Sequence, residues 1–296
     1  MNTSPLIELN NGVRMPALGL GVFLSTPEQT ANAVATAIAN GYRLIDTAAA
    51  YNNERQVGEG IRRSGVKRDE LFITTKLWVA DYGADTAMRA FEASLRRLGL
   101  DHIDLYLLHW PVPTDFEGTV ASYKVAEKLL RDGRVRAIGV CNFQPKHLDD
   151  LLARTEVVPA LNQVELNPYF TGPEVRAANE RHGIITQSWS PIGGAYYRRH
   201  ASGAPSGPLQ DPVITALADK YRKTPAQIIL RWHLDHGFSA IPKSVNPGRI
   251  AENFNVFDFT LTPAEIAAID ALDTGVRAGG DPEKFTRNSY PITIDA

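Results

Sequence analysis

Eight short apolar segments recur along the chain, separated by stretches with helical periodicity, and this alternation constrains the fold more than any other feature. The segments are ALGLGVF (17–23), RLIDTA (43–48), LFITTKL (71–77), DLYLLHW (104–110), AIGVCNF (137–143), ALNQVEL (160–166), IITQSWS (184–190) and FSAIPKS (238–244). Strands that alternate with helices form βαβ units and hence a parallel sheet. One helix is read over 27–40, with Pro27 in its first turn and Gly41 just past its end. Others are read over 84–98 before Gly99, 120–132 before Gly133, 146–153, and 173–182 before Gly183. A longer helical region covers 211–236, and 263–272 follows Thr262-Pro263. Ahead of them all, LIELNNGVRM sets strand-like halves around Asn11-Gly12, a hairpin signal. Eight strand–helix units predict an α/β chain folded as a closed (β/α)8 TIM barrel with an N-terminal β-hairpin. The 296 residues suit one such domain, 1–296. A doubly wound sheet is the alternative. Its G-x-G-x-x-G turn is missing, because Leu24 stands where the third glycine would follow Gly19 and Gly21.

Barrel strands are nearly all apolar, and their C-terminal ends carry the chemistry. Polar residues stand at or just beyond the ends of these runs: Asp46, Lys76, His109, Asn142, Gln163, Trp189 with Ser190, and Lys243. A barrel brings them to one mouth. Asp46 and Lys76, at adjacent strand ends, can form a partly buried ion pair. Tyr51 follows Asp46 in the next loop. A phenol titrates at about 10, too high for easy proton transfer at neutral pH, and a neighbouring ammonium lowers that value. His109 can orient a carbonyl oxygen or relay a proton. The set suits protonation of a carbonyl oxygen while a hydride reaches the carbon. No nucleophile has an adjacent base, so acyl transfer fits poorly. Taken singly these residues read as a structural ion pair, a buried histidine and a rim aromatic; their shared end of the sheet favours catalysis.

The net charge of −2 and a pI near 6.4 suggest no nucleic-acid or anionic-membrane partner. One cysteine, Cys141, leaves no intrachain disulfide to form. The first residues show no signal-peptide pattern, and no apolar run approaches about 18 residues, so a cytoplasmic protein is expected. His233 and His236, with Asp235 between them, have helical spacing but no evident third ligand, and no metal is expected. Cys141 has no local base and is read as a small residue lining a cofactor pocket. Residues 193–210, rich in Gly, Pro and Ser, read as a long surface loop.

Three long motifs carry a family resemblance: GYRLIDTAAAYNNERQVG (41–58), LDHIDLYLLHWP (100–111) and IPKSVNPGRIAENF (241–254). Between them stand ITTKLW, GVCNF, NQVELNPY and SWSP. From the hairpin to about residue 273, the chain resembles the aldo-keto reductases, within them the bacterial 2,5-diketo-D-gluconate reductase branch. The resemblance implies a barrel with an extended NADPH across its mouth and a catalytic tetrad of Asp46, Tyr51, Lys76 and His109. It implies that Asn142 and Gln163 bond the nicotinamide carboxamide, that Trp189 stacks on the ring, and that Ser190 through Gly194 pass the pyrophosphate. Lys243, Ser244 and Arg249 would grip the adenosine 2′-phosphate, with Glu252 and Asn253 near the adenine. Gly21, Val22, Asp46, Cys141, Pro191, Ile192, Gly193 and Val245 complete the expected cofactor contacts. Two cations and a hydroxyl in one loop-to-helix segment independently suit a phosphate, although a solvated charged loop would look the same. Cys141 stands where relatives usually have serine, and a thiol is the weaker donor. Phe23, Trp78, His109 and Trp110 are expected to line an aromatic pocket for a small-molecule carbonyl compound. Tyr196, Tyr197, Arg198 and Arg199 could fold over a ligand or stay solvated. The family default is a monomer. The rival function is an NADPH-binding sensor with little catalysis, against which the complete tetrad weighs.

Overall fold

A computed structural model describes residues 4–194 and 207–295. Strands β1 (Leu6–Glu8) and β2 (Arg14–Pro16) pair antiparallel, and Gly12 takes φ +81° in the turn between them. Eight parallel strands follow: β3 (Gly19–Gly21), β4 (Leu44–Asp46), β5 (Phe72–Leu77), β6 (Ile103–Leu108), β7 (Val135–Cys141), β8 (Leu161–Glu165), β9 (Ile185–Trp189) and β10 (Ser239–Ala240). Each bonds to the next, and parallel bridges from Leu18 to Ala240 and from Gly21 to Lys243 join the last strand to the first. The result is the expected (β/α)8 barrel with its hairpin.

The hairpin seals the N-terminal end. Leu9 and Met15 pack beneath an interior of Leu44, Phe72, Leu105, Leu107, Ala137, Leu161 and Ile241. The Asn11 side chain donates to the Arg136 carbonyl at 2.9 Å, and Asn10 to that of Pro159 at 3.0 Å. Opposite lies the mouth.

Among the described residues the helices are α1 (Pro27–Ala39), α2 (Glu54–Ser64), α3 (Ala84–Leu98), α4 (Phe116–Arg131), α5 (Pro145–Leu152), α6 (Pro173–Arg181), α7 (Pro212–Tyr221), α8 (Pro225–Asp235), α9 (Pro247–Phe254) and α10 (Pro263–Asp270). None is long and apolar enough to cross a membrane. Two regions depart from expectation. The segment 211–236 is two helices, because Arg222 turns left-handed at φ +53° and Thr224 starts α8 with a capping box to Gln227 ahead of Pro225. Helix α2 was not expected at all. Gly58 and Gly60 each lower helix propensity by about 1 kcal/mol relative to alanine, which hides its pattern. Both are needed for close packing: a Cβ on Gly58 would lie 2.1 Å from the Leu98 carbonyl oxygen, and one on Gly60 would lie 2.6 Å from Val34. Of the proposed surface loop, residues 195–206, with Tyr196, Tyr197, Arg198 and Arg199, lie outside the described residues.

Candidate active site

Strand register brings the first two charges together. Asp46 ends β4 beside Thr74 of β5, and Lys76 lies two residues further along that strand. The chain then turns through a short 3₁₀ segment, Ala49–Tyr51. Buried Asn53 fixes that turn by accepting from the Thr47 hydroxyl at 2.8 Å and donating to the Val22 carbonyl at 3.0 Å. Lys76 Nζ therefore finds three oxygens: Asp46 Oδ1 at 2.6 Å, the Thr47 carbonyl at 2.9 Å and the Tyr51 hydroxyl at 3.4 Å. Lys76 and Asp46 are both shut away from solvent. A buried ammonium is costly unless its donors are satisfied, and here each has an acceptor.

Burial opposes the charge on Lys76, but Asp46 and then Tyr51 outweigh it and hold the ammonium above its ordinary pKa. Burial raises the carboxyl of Asp46, against the pull of Lys76 and Gln163. The expectation for Tyr51 needs correction. Lys76 does pull its pKa down, but desolvation is larger and pushes the phenol up to about 12. The hydroxyl thus keeps its proton at neutral pH. Burial, aided by the charge of Lys76, holds His109 well below the usual imidazole value, so it is neutral. The His109 ring meets Tyr51 and Trp78 edge-on, with centroids 5.6 and 5.1 Å away. Its Nδ1 is buried and has no hydrogen-bond partner among the described residues.

Asp46, Tyr51, Trp78 and His109 open on a cavity of about 1410 Å³, whereas Lys76 is buried and is not among its lining residues. Of the residues expected from the sequence, Gly21, Val22, Phe23, Asp46, Tyr51, Trp78, His109, Trp110, Asn142, Gln163, Trp189, Ser190, Pro191, Ile192, Gly194 and Lys243 all reach its wall. Cys141 does not. It ends β7 behind that wall, buried, with Sγ 3.8 Å from Gln163 Oε1, so the expected pocket-lining role is corrected to a packing one. Gln163 donates to Asp46 Oδ2 at 2.8 Å and to Gln187 Oε1 at 2.6 Å, which joins it to the charged pair. Asn142 has φ +64°; its side chain donates to the His109 carbonyl and accepts from the Trp189 indole N–H at 2.8 Å.

Gly193, Ser244, Val245, Arg249, Glu252 and Asn253 are not among the cavity's lining residues, although Gly193 and Ser244 adjoin residues that are. Ser244 accepts from the Asn246 amide, and Glu252 accepts from the Thr224 hydroxyl. Lys243 and Arg249 are exposed on either side of the N-terminus of α9, and neither has an ion-pair partner among the described residues. Two cations without an ion-pair partner among the described residues flank a helix N-terminus, with Lys243 on the wall of the cavity that bears Trp189, and this fits a dinucleotide carrying an additional phosphate. No group of three metal-binding side chains occurs among the described residues. His233 instead bonds the Pro191 carbonyl, and His236 bonds Asp270.

The sequence points to the tail after residue 273, with the 193–210 loop, as shaping the choice of substrate, but names no side chain in that tail. Residues 275–281, Tyr290 and Ile292 of the C-terminal tail also line the cavity, as do Leu24, Gln144 and Phe170. The tail is irregular, so no periodicity announces which side chains face a ligand.

A model described as the Aldo/keto reductase family matches residues 17–274. Morphine 6-dehydrogenase of Pseudomonas putida is 58% identical over 289 residues, spanning 97% of each chain. Methylglyoxal reductase DkgA of Escherichia coli K12 is 47% identical over 285 residues, 96% of this chain and 99% of that one. Among solved structures, a Bombyx mori aldo-keto reductase in complex with NADP superposes with a TM-score of 0.89 at 37% identity, covering 97% of this chain and 99% of the other.

Proposed function

The chain belongs to the aldo/keto reductase family, and from that premise we propose that this mouth reduces aldehydes and ketones with NADPH, with Tyr51 as the proton donor. Bound NADPH supplies the hydride. Everything else falls to the protein. Tyr51, still protonated at neutral pH, hands its proton to the carbonyl oxygen. Lys76, kept charged by Asp46, stabilises the phenolate left behind. Neutral His109 orients the oxygen by a hydrogen bond. The observation that carries this reading is a phenol on the wall of a cavity, 3.4 Å from a buried ammonium that is itself 2.6 Å from a carboxylate. Tyr51→Phe should nearly abolish aldehyde-dependent loss of the reduced-nicotinamide absorbance while leaving NADPH binding intact. Unchanged turnover would remove Tyr51 from the role.

For the cofactor, Trp189 would stack on the nicotinamide, Asn142 and Gln163 would meet its carboxamide, and Gly21, Val22 and Ser190 through Gly193 would follow the pyrophosphate. Lys243, Ser244, Val245 and Arg249 would hold the 2′-phosphate, with Glu252 and Asn253 toward the adenine. Support comes from the two cations at the helix N-terminus, Lys243 and Arg249, which have no ion-pair partner among the described residues. Phe23, Trp78 and Trp110 favour small or flat carbonyl compounds. The relatives' names span a polycyclic alkaloid and a small dicarbonyl, so both classes belong in a substrate panel. We place the protein in the cytoplasm as a monomer. Its single cysteine needs no oxidising compartment, and light scattering of the purified chain tests the oligomeric state.

A further inference from the structure

The tail wall is held by a charge that the reaction does not use. Glu165 is the last residue of β8, and its side chain is fully buried. Its Oε1 accepts from the Ala278 amide at 2.9 Å and its Oε2 from the Gly279 amide at 2.8 Å. Arg277 Nη1 lies 3.6 Å from Oε2, and the same guanidinium sits 4.7 Å over the Phe170 ring. A buried carboxylate is costly unless it is paired and hydrogen-bonded. Here that compensation includes backbone more than 110 residues away in sequence, so carboxylate and strap hold each other in place.

The strap is pressed onto the site. A Cβ on Gly279 would lie 2.4 Å from Cη2 of Trp189 and 2.9 Å from Glu165 Oε2. One on Gly280 would lie 3.3 Å from the Trp110 ring. Backbone thus lies against two of the three indoles on the cavity wall, Trp189 and Trp110.

We propose that Glu165 is a positioning residue that latches segment 277–280 against Trp189 and Trp110, and that this latch sets the enzyme's discrimination between compact and polycyclic carbonyl substrates. The inference rests on the reading that carbonyls are reduced at Tyr51 in this mouth. With the latch closed, a compact substrate is confined beside Tyr51 and His109. With it open, the wall recedes and the compact substrate loses more contact than one large enough to fill the wider cavity.

Two variants of the full chain test it. Glu165→Gln replaces one acceptor oxygen with an NH₂ that faces an amide N–H. Gly279→Ala forces the strap off Trp189 while Glu165 stays intact. Hydrogen exchange, measured with and without NADPH, should show the Ala278 and Gly279 amides exchanging about tenfold faster in Glu165→Gln, the loss of roughly one hydrogen bond. With NADPH and a small α-dicarbonyl, KM should rise about tenfold in both variants while kcat stays within about threefold. KM for a polycyclic ketone should rise less, so the ratio of the two kcat/KM values falls. Unchanged exchange at the two amides overturns the latch, and this readout needs no turnover. Equal loss on both substrates, or a collapse of kcat, overturns the link to discrimination. Wild type that reduces no carbonyl would instead refute the proposed reaction, with exchange still deciding the latch.

Discussion

At the scale of single residues, burial decides more than neighbouring charge. Lys76 was expected to ease the Tyr51 proton off, yet desolvation lifts the phenol to about 12. That helps a donor working at neutral pH, because the proton must be present to be given. His109 is held neutral by the same burial. Neither group changes its protonation between about pH 7 and 9, so kcat/KM for reduction should be flat there. A rate tracking a pKa inside that window would contradict both placements. Cys141 invites a second measurement. Its thiol stands behind the cavity wall, so Cys141→Ser should change the Kd for NADPH by less than about threefold. Lys243 is different, being exposed and unpaired among the described residues. Lys243→Ala should weaken NADPH by about tenfold or more and NADH much less, a contrast that equilibrium titration with each nucleotide reads. That Asp46, Tyr51, Lys76 and His109 would stand together was legible in the sequence. The net direction of Tyr51's shift was not, since it depends on how much water the fold removes.

At the scale of elements, all eight barrel strands were legible as short, mostly apolar segments recurring between helical stretches, although polar residues interrupt β5 (FITTKL), β8 (LNQVE) and β9 (ITQSW). Helix α2 was not, and the reason is instructive. The glycines that spoil its propensity admit Leu98 and Val34 at distances no Cβ would allow. Propensity alone says Gly58→Ala should stabilise a helix by about 1 kcal/mol. The clash with the Leu98 backbone, which cannot step aside, should dominate and cost about 1–3 kcal/mol. A rise in the denaturation midpoint would show that the helix can shift without penalty. The split between α7 and α8 was readable in principle from Thr224-Pro225 followed by Gln227, a start signal lying inside a longer apolar pattern.

At the scale of the whole molecule, burial also couples stability to acidity. His233 is fully buried, bonds the Pro191 carbonyl, and is pushed down to about 3, desolvation outweighing that bond. Its folded pKa lies below the unfolded one. The unfolded chain therefore binds the extra proton as pH falls from about 6.5 toward 3, and stability is lost in that window at up to about 1.4 kcal/mol per pH unit. Urea unfolding of His233→Gln from pH 7 to 4 should show an acid slope shallower by about one proton; an identical slope would rule His233 out as its source. The sequence by itself determined the barrel, its hairpin, the mouth at which Asp46, Lys76, His109, Asn142, Gln163, Trp189 and Lys243 gather, and the family. Apolar runs and strand-end polarity are local patterns, and strand alternation turns them into a global one. Only the tertiary structure decided which side of the wall Cys141 faces, how far burial lifts Tyr51, and that the tail is latched by Glu165 onto Trp189. Those depend on desolvation and on contacts between segments more than a hundred residues apart, and no local pattern encodes either.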